Sequence, residues 1–386
     1  MTFSEKFHLR IPGPTPIPSR VQQAMNQPIF GHRSQEATQL IQECSQKLKP
    51  IFGTGQDPLI LTSSGTSALE AAVINTLSPG DEALVIVTGS FGDRFAKIVE
   101  RYEFTLHRLD IEWGKSCSPE QLRIALQQHP KTKAVFVTYC ETSTGVLNPI
   151  EELSKVVHTH SEALFVVDGV SCIGAVPCQM DDWGLDVVVT GSQKALMLPP
   201  GLSFIAVSRR AWRQIEQNQM PSFYLNLLQY RNSLSQSTTP YTPAISLLLG
   251  LKEALCMLEE EGLEQVFQRH ELLMSMCRTG VQSMGLTLMA SKQDASPTVT
   301  SIYGGGAEAW SSEDVRKHLK QLRVLVAGGQ QHLKGQIFRI GHMGYCDSLD
   351  ILTALSALEI ALTQAGVPIS LGSGVKAAQE VYLHHV

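Results

Sequence analysis

Lys194 lies in DVVVTGSQKALMLPPGLSFIAVS, residues 186 to 208, a stretch otherwise made of apolar, small and turn-forming residues. A β-branched run, Val187 to Val189, ends in Thr190-Gly191-Ser192, and the breaker Pro199-Pro200-Gly201 follows the lysine. An ammonium held there loses solvent, its pKa falls, and more of it stands as the free amine that attacks a carbonyl. On this segment alone, a surface lysine with a snorkelling stem is the ordinary alternative. Asp168 directly follows the apolar strand Ala163 to Val167. A carboxylate at the end of a buried strand needs a cation or a strong donor, such as a protonated heteroaromatic nitrogen; capping the next turn is its other use. Ser64-Gly65-Thr66 joins the strand PLILTSS to the helix SALEAAVINTL. Such a turn offers N–H groups, hydroxyls and the positive end of a helix dipole to a phosphate, or else it is a plain helix cap. No Walker lysine and no G-x-G-x-x-G follow it, which disfavours a nucleotide.

These turns need a sheet to bring them together, and the chain supplies one. PLILTSS (58 to 64), EALVIVTG (82 to 89), FTLHRLD, AVFVTYCE (134 to 141), ALFVVDG (163 to 169), DVVVTG and LSFIAVS read as strands. SALEAAVINTL (67 to 77), FGDRFAKIVERY, SPEQLRIALQQH and EELSKVVHTH read as helices between them. Strands apolar along their whole length, alternating with amphipathic helices, predict a mainly parallel sheet covered on both faces, an α/β architecture. Ligands in such sheets gather at the carboxyl ends of the strands, where this sequence places polar and glycine-rich turns: 62 to 67, 88 to 93, 141 to 145, 168 to 171 and 190 to 194. All five should line one site. Ahead of the sheet, SRVQQAMNQPIF and SQEATQLIQECSQKLKPIFG read as helices separated by Gly31-His32-Arg33. After it, ISLLLGLKEALCMLEEEGLEQVFQRHELLMSMCRTGVQSMG reads as one or two long helices, TVTSIYG and IFRIGHMG as short strands, and DILTALSALEIALTQAG as a closing helix. Gly304 to Gly306 and Gly328-Gly329 read as turns, and the last dozen residues as weakly ordered.

The chain has 386 residues, 43% hydrophobic and 17% charged, enough for a large and a smaller domain around a sizeable core. A net charge of -5 and no long basic run give no general attraction to nucleic acid or an anionic membrane, so small-molecule partners are expected. The opening carries no apolar h-region and no segment has the apolar length of a membrane span, which predicts a cytoplasmic protein. Eight cysteines are scattered without a Cys-x-x-Cys pair, and the histidines are poorly spaced as ligands, so neither a metal site nor a disulfide framework is expected.

A phosphate cradle, an Asp about a hundred residues on and a Lys roughly 25 further, each at a strand end, is what a pyridoxal phosphate enzyme needs: phosphate anchor, partner for the ring nitrogen, and amine. With IPGPTPIP, TSSGTSALEAA, CETSTGV, VVDGVS, GSQKALMLPPG and FRIGHMG, spread over almost the whole length, the sequence resembles the class V, fold type I aminotransferases. Within them it is most similar to alanine-glyoxylate and serine-glyoxylate (serine-pyruvate) aminotransferases. The resemblance implies pyridoxal 5'-phosphate as cofactor, a homodimer, and an amino acid and an oxo acid as substrates. It also implies an extended segment over 1–20, a large cofactor-binding domain with a seven-stranded sheet over 21–260, and a small α+β domain over 261–386.

Residue by residue, Lys194 matches the lysine that carries the cofactor as a Schiff base, and Gln193 a residue at its phosphate and ring edge. Asp168 matches the carboxylate that keeps the ring nitrogen protonated, and Val170 a residue packed beneath the ring. Ser64, Gly65 and Thr66 match the phosphate cup, with a histidine at the Thr66 position in some relatives. Phe91 falls where an aromatic, often tryptophan, stacks on the cofactor, and Thr142 where a hydroxyl meets the ring oxygen. Arg339 matches the arginine that grips the substrate carboxylate through two parallel hydrogen bonds. TTPYTPAISLLL matches a segment that reaches the neighbouring subunit's phosphate, with Tyr241 and Thr242 as the hydroxyls carried over. IPGPTP, with Gly31 further on, matches a segment near the substrate carboxylate.

The implied reaction is transamination, with alanine favoured over serine or an aminophosphonate as donor and glyoxylate or pyruvate as acceptor. A cysteine desulfurase-like lyase on the same fold needs a cysteine on a mobile loop shortly before the carboxylate-binding arginine. Here QQHLKGQIFR precedes Arg339, and Cys346 lies after it. A third reading, an assembly subunit that keeps the fold without activity, is opposed by the intact Lys194, Asp168 and Arg339.

Overall fold

The computed structural model describes residues 7–305 and 310–385; residues 1–6 of the expected extended segment, and Gly306 of the expected turn, lie outside them. Seven strands form one sheet: β1 (Leu59–Leu61), β2 (Glu82–Val87), β3 (Thr105–Asp110), β4 (Thr132–Thr138), β5 (Leu164–Asp168), β6 (Val187–Gly191) and β7 (Ser203–Val207). Their order is β1-β7-β6-β5-β4-β2-β3. Neighbours are parallel except at β7, which runs antiparallel to both β6 and β1. The expected mainly parallel α/β sheet is therefore what the chain forms. A strand buried on both faces reads the same in either direction, so the reversal of β7 is not visible in its sequence.

The period of two along each strand divides the sheet between two cores. Leu84 and Ile86 of β2, Val135 and Val137 of β4, and Phe165 and Val167 of β5 share one core with Leu40, Leu48 and Phe52 of α1 (Gln35–Phe52). Val85, Val87, Ala134, Phe136, Leu164 and Val166 share the other with residues of α2 (Gly65–Thr76) and α3 (Ser90–Arg101). At roughly 1.5–3 kcal/mol for each large side chain buried, this two-sided packing locks the register and hence the places where the turns emerge. Asp168 ends β5 in register with Thr138 of β4 and Val189 of β6. α2 and α3 start just after the carboxyl ends of β1 and β2, so their N-termini open on that same edge.

The run 245–283 forms two helices, α4 (Ile245–Glu261) and α5 (Leu263–Ser283), because Gly262 at φ 84° turns the chain between them. β8 (Val299–Tyr303), β9 (Ala327–Gly328) and β10 (Ile337–Gly341) form an antiparallel sheet with β10 in the middle. A third core joins Ile302 and Ile340 of that sheet to Met276 and Val281 of α5 and to Ile351, Leu355 and Leu358 of α6 (Ser348–Gln364). The N-terminal segment does not stand apart from this sheet. His8–Leu9 pair with Val324–Leu325, Gly341 N–H donates to Arg10 O, and Thr15 N–H donates to Gln193 O.

The C-terminus departs from the expectation of weak order, since Ser373–His385 is a helix, α7. Its start is fixed from a distance: the buried Glu359 of α6 accepts from the N–H groups of Gly372, Gly374 and Val375 at 2.8, 2.7 and 3.3 Å. A cap supplied by another helix leaves no signal in the local sequence. Replacing Glu359 by alanine leaves these donors unpaired, at a cost of about 2–3 kcal/mol. Amide hydrogen exchange should accelerate across 373–385 well before it does in β4 to β6. Unchanged protection of α7 would contradict the capping role.

Candidate active site

The five turns predicted to share one site do meet. Phe91 and Gly92 N–H donate to the Glu141 carboxylate, and Ser90 N–H donates to Ser143 Oγ, which joins 88–93 to 141–145. The Thr142 and Ser171 hydroxyls bond each other, which joins 141–145 to 168–171. A Cβ placed on Gly65 would stand 3.0 Å from a Val170 methyl, and one on Gly191 would stand 3.6 Å from Gly65 Cα, which closes the ring through 62–67 and 190–194.

Asp168 is 3% exposed, and its Oδ1 accepts from Val170 N–H at 2.9 Å. Burial pushes its pKa up to about 7, and the neighbouring charge of Glu141 pushes the same way. Lys194 Nζ donates to Pro12 O at 2.7 Å, and Lys194 O accepts from Thr15 Oγ1 at 2.9 Å. Burial lowers its pKa to about 8, and the positive charge of Arg339 contributes in the same direction. Gly13 presses on this side chain: at φ 136°, an added Cβ would stand 2.6 Å from Lys194 Cδ and 2.7 Å from Nζ. Only a glycine leaves the lysine its place there.

Arg339 sits in β10, the middle strand of the small sheet, and is 5% exposed. Its Nε donates to Gly328 O at 2.9 Å and its Nη1 to Thr142 O at 2.7 Å. Two backbone carbonyls fix the guanidinium, yet among the described residues no carboxylate forms an ion pair with it. Burial lowers its pKa to about 10. Phe91 opens α3 beside Arg94, whose guanidinium carbon stands 4.7 Å from the ring centre. Tyr241 and Thr242 are not brought to this cluster by their own chain. Tyr241 Oη donates to Phe223 O at 2.8 Å and bonds Gln229 at 3.0 Å, its ring stacks on Tyr224, and Thr242 is exposed. Gly31 lies at the start of α1, where its N-cap Ser34 donates its N–H to Gly31 O.

Three contributors escape a reading by motif. Glu141 is fully buried, with its pKa raised by burial, and it anchors the start of α3 through Phe91 and Gly92. Gly13 and Pro12 approach Lys194 from IPGPTP, a segment expected near the substrate carboxylate and not against the lysine. The signal that could have found Glu141 is the acidic residue ending the apolar run AVFVTYCE.

The cluster fits pyridoxal 5'-phosphate on observations of its own. The buried carboxylate of Asp168 has no ion-pair partner among the described residues, as a protonated ring nitrogen would require. Gln193 Oε1 is buried without a hydrogen-bond partner. At the start of α2, Gly65 and Thr66 N–H precede the first helical bond, which Ser67 N–H makes to Ser64 O, and Ser64 makes no side-chain cap.

Comparison with known proteins agrees with this geometry. The family model for class-V aminotransferases matches residues 9–346. The small subunit of a soluble hydrogenase from Synechococcus sp. is 43% identical over 380 residues, covering 98% of each chain. Serine-glyoxylate aminotransferase of Arabidopsis thaliana is 35% identical, with 99% of this chain and 96% of that protein covered. The solved structure of an alanine-glyoxylate aminotransferase from Nostoc sp. is 29% identical, with a TM-score of 0.88 over 94% of this chain and 98% of that one.

The lowered pKa of Lys194 has a direct consequence. A group with a pKa near 8 becomes the free amine as pH rises through that value, so the rate at which cofactor-free protein captures pyridoxal phosphate should rise and then level off around pH 8. A rate that keeps climbing beyond pH 10, as for an exposed lysine, would contradict the desolvated setting.

Proposed function

The chain belongs to the class-V aminotransferases, and from that premise we propose that it moves the amino group of a small L-amino acid, alanine first and serine second, to glyoxylate or pyruvate. Membership brings pyridoxal 5'-phosphate as cofactor and an amino acid and an oxo acid as substrates. The observation that carries the reading is a pair of buried charges of opposite sign, Asp168 and Arg339, that form no ion pair among the described residues. The names of the Arabidopsis and Nostoc relatives share glyoxylate and differ in the donor, so the acceptor is the better supported half.

When bound, pyridoxal phosphate supplies an aldehyde that condenses with amines and a ring that accepts the electron pair left when Cα loses its proton. Asp168 would face the ring nitrogen and favour its protonated form, the two charges answering each other at a buried position. Ser64, Gly65 and Thr66 would hold the phosphate, with Gln193 at its edge and Phe91 against the ring. Val170 and Thr142 would complete the walls. Arg339 would take the substrate carboxylate in its planar fork, which fixes Cα relative to Lys194. Lys194 Nζ, unprotonated in an appreciable fraction near neutral pH, is the base for the Cα proton.

We also place the working site in a homodimer. Phe223 is 75% exposed, packs 5.7 Å from Tyr241 and lies beside the half-exposed Tyr224, an aromatic surface next to the segment 238–242 that a second subunit would cover. No helix among the described residues is long and apolar enough to cross a membrane.

A desulfurase-like reaction finds no support in Cys346. Its thiol is buried against Arg10 Nη1, and burial pushes its pKa up to about 12, far from a mobile nucleophile. An assembly subunit without activity would have no need of buried charges that lack ion-pair partners among the described residues beside a lysine of lowered pKa.

Single-turnover absorbance measurements with alanine, serine and an aminophosphonate test both class and donor. Alanine should bleach the visible cofactor band fastest. Arg339→Lys keeps the charge and loses the fork, so kcat/KM for alanine and glyoxylate should fall by roughly 10²-fold while the cofactor spectrum stays. Loss of cofactor with normal handling of both substrates would show that the carboxylate is held elsewhere.

A further inference from the structure

Arg94, at the mouth of the phosphate cup, is a cation that forms no ion pair among the described residues. Its Nη1 donates to Thr66 Oγ1 at 3.2 Å, and its guanidinium lies over the Phe91 ring. The neighbouring cations are already paired: Lys97 and Arg108 share Asp93 at 2.7 and 3.0 Å, and Asp93 also accepts from Gln331. Arg94 forms no ion pair among the described residues. The site has a charge deficit that it could fill. A phosphate monoester carries about -1.5 to -2 charges near neutral pH, whereas a helix N-terminus offers roughly +0.5. The hydroxyls of Ser64 and Thr66 add hydrogen bonds and no charge. Lys194 is turned to Pro12 O and is needed for the aldehyde.

We infer that Arg94 is a ligand of the cofactor's phosphate, held in place by Thr66 on one edge and by the face of Phe91. The guanidinium has donors enough to keep Thr66 with one nitrogen and present the others to a phosphate oxygen. The contact with Phe91 has a second use, since the ring that would stack on the cofactor is steadied by the cation that would bind its phosphate. One residue thus ties two of the five turns, 62–67 and 88–93, to the same ligand. The inference rests on the pyridoxal phosphate reading of Ser64 to Thr66.

The test separates the phosphate from the ring. Full-length protein freed of cofactor is titrated with pyridoxal 5'-phosphate and with pyridoxal, which lacks the phosphate, in the wild type, Arg94→Gln and Arg94→Lys. The wild type should prefer the phosphorylated form strongly. Arg94→Gln should weaken pyridoxal phosphate by roughly 10- to 100-fold, the worth of a charged hydrogen bond, and leave pyridoxal unchanged; Arg94→Lys should recover part of the loss. Unchanged affinity for pyridoxal phosphate in Arg94→Gln overturns the inference. An equal loss for both compounds also overturns it and makes Arg94 a support for Phe91. If the wild type itself shows no preference for the phosphate, the reading of the cup fails, and the inference with it. Matching circular dichroism and melting of the variants guard against a folding defect.

Discussion

Asp168 and Arg339 carry opposite charges, are buried to 3% and 5% exposure, and have no ion-pair partners among the described residues. Removing a charge from water costs several kcal/mol unless an opposite charge comes with it, and a chain optimised for stability alone would pair these two or remove them. The protein keeps them apart. Asp168 is fixed at the end of a central strand, and Arg339 is clamped by two carbonyls in the other sheet. A buried charge of each sign without an ion-pair partner among the described residues, beside a lysine amine, fits ligands that bring opposite charges.

Much of the remaining architecture serves that separation. Two cores, one on each face of the large sheet, hold the ends of β4, β5 and β6 level, so Asp168 cannot shift without dragging buried valines and phenylalanines with it. The small sheet is tied to the large one by residues 8–15, in which Arg10 O accepts from Gly341 N–H of β10 and Thr15 bonds Gln193 O and Lys194 O. The same segment delivers Pro12 O to the lysine amine. Glu141 plays a comparable part for α3, its buried carboxylate collecting N–H groups that would otherwise be orphaned at a helix start. Fixing the first turn of α3 in this way fixes both Phe91 and Arg94.

How much of this the sequence discloses depends on whether the cause is local. The strand-end turns are legible because apolar runs ending in small or polar residues mark them, and the parallel sheet brings such ends together as a rule. Lys194 and Asp168 stand out for the same reason: each is a charge where its flanking sequence offers no partner. Contributions made across space are silent. The cap that Glu359 gives to α7, the press of Gly13 on Lys194, and the approach of Arg94 to Thr66 join residues far apart in the chain, and no spacing announces them. The direction of β7 is hidden by burial on both faces, and the break at Gly262 by a hydrophobic pattern that runs on through it.

The proposed role of the charge on Asp168 is to be answered by a protonated ring nitrogen. Nitrogen-15 NMR of ring-labelled pyridoxal phosphate bound to the full-length protein reads that proton directly. The ring nitrogen should be protonated throughout the range from about pH 6 to 9 in the wild type and should lose that proton in Asp168→Asn with Lys194 still carrying the cofactor. An unprotonated ring nitrogen in the wild type at neutral pH, or one that stays protonated in Asp168→Asn, would contradict it.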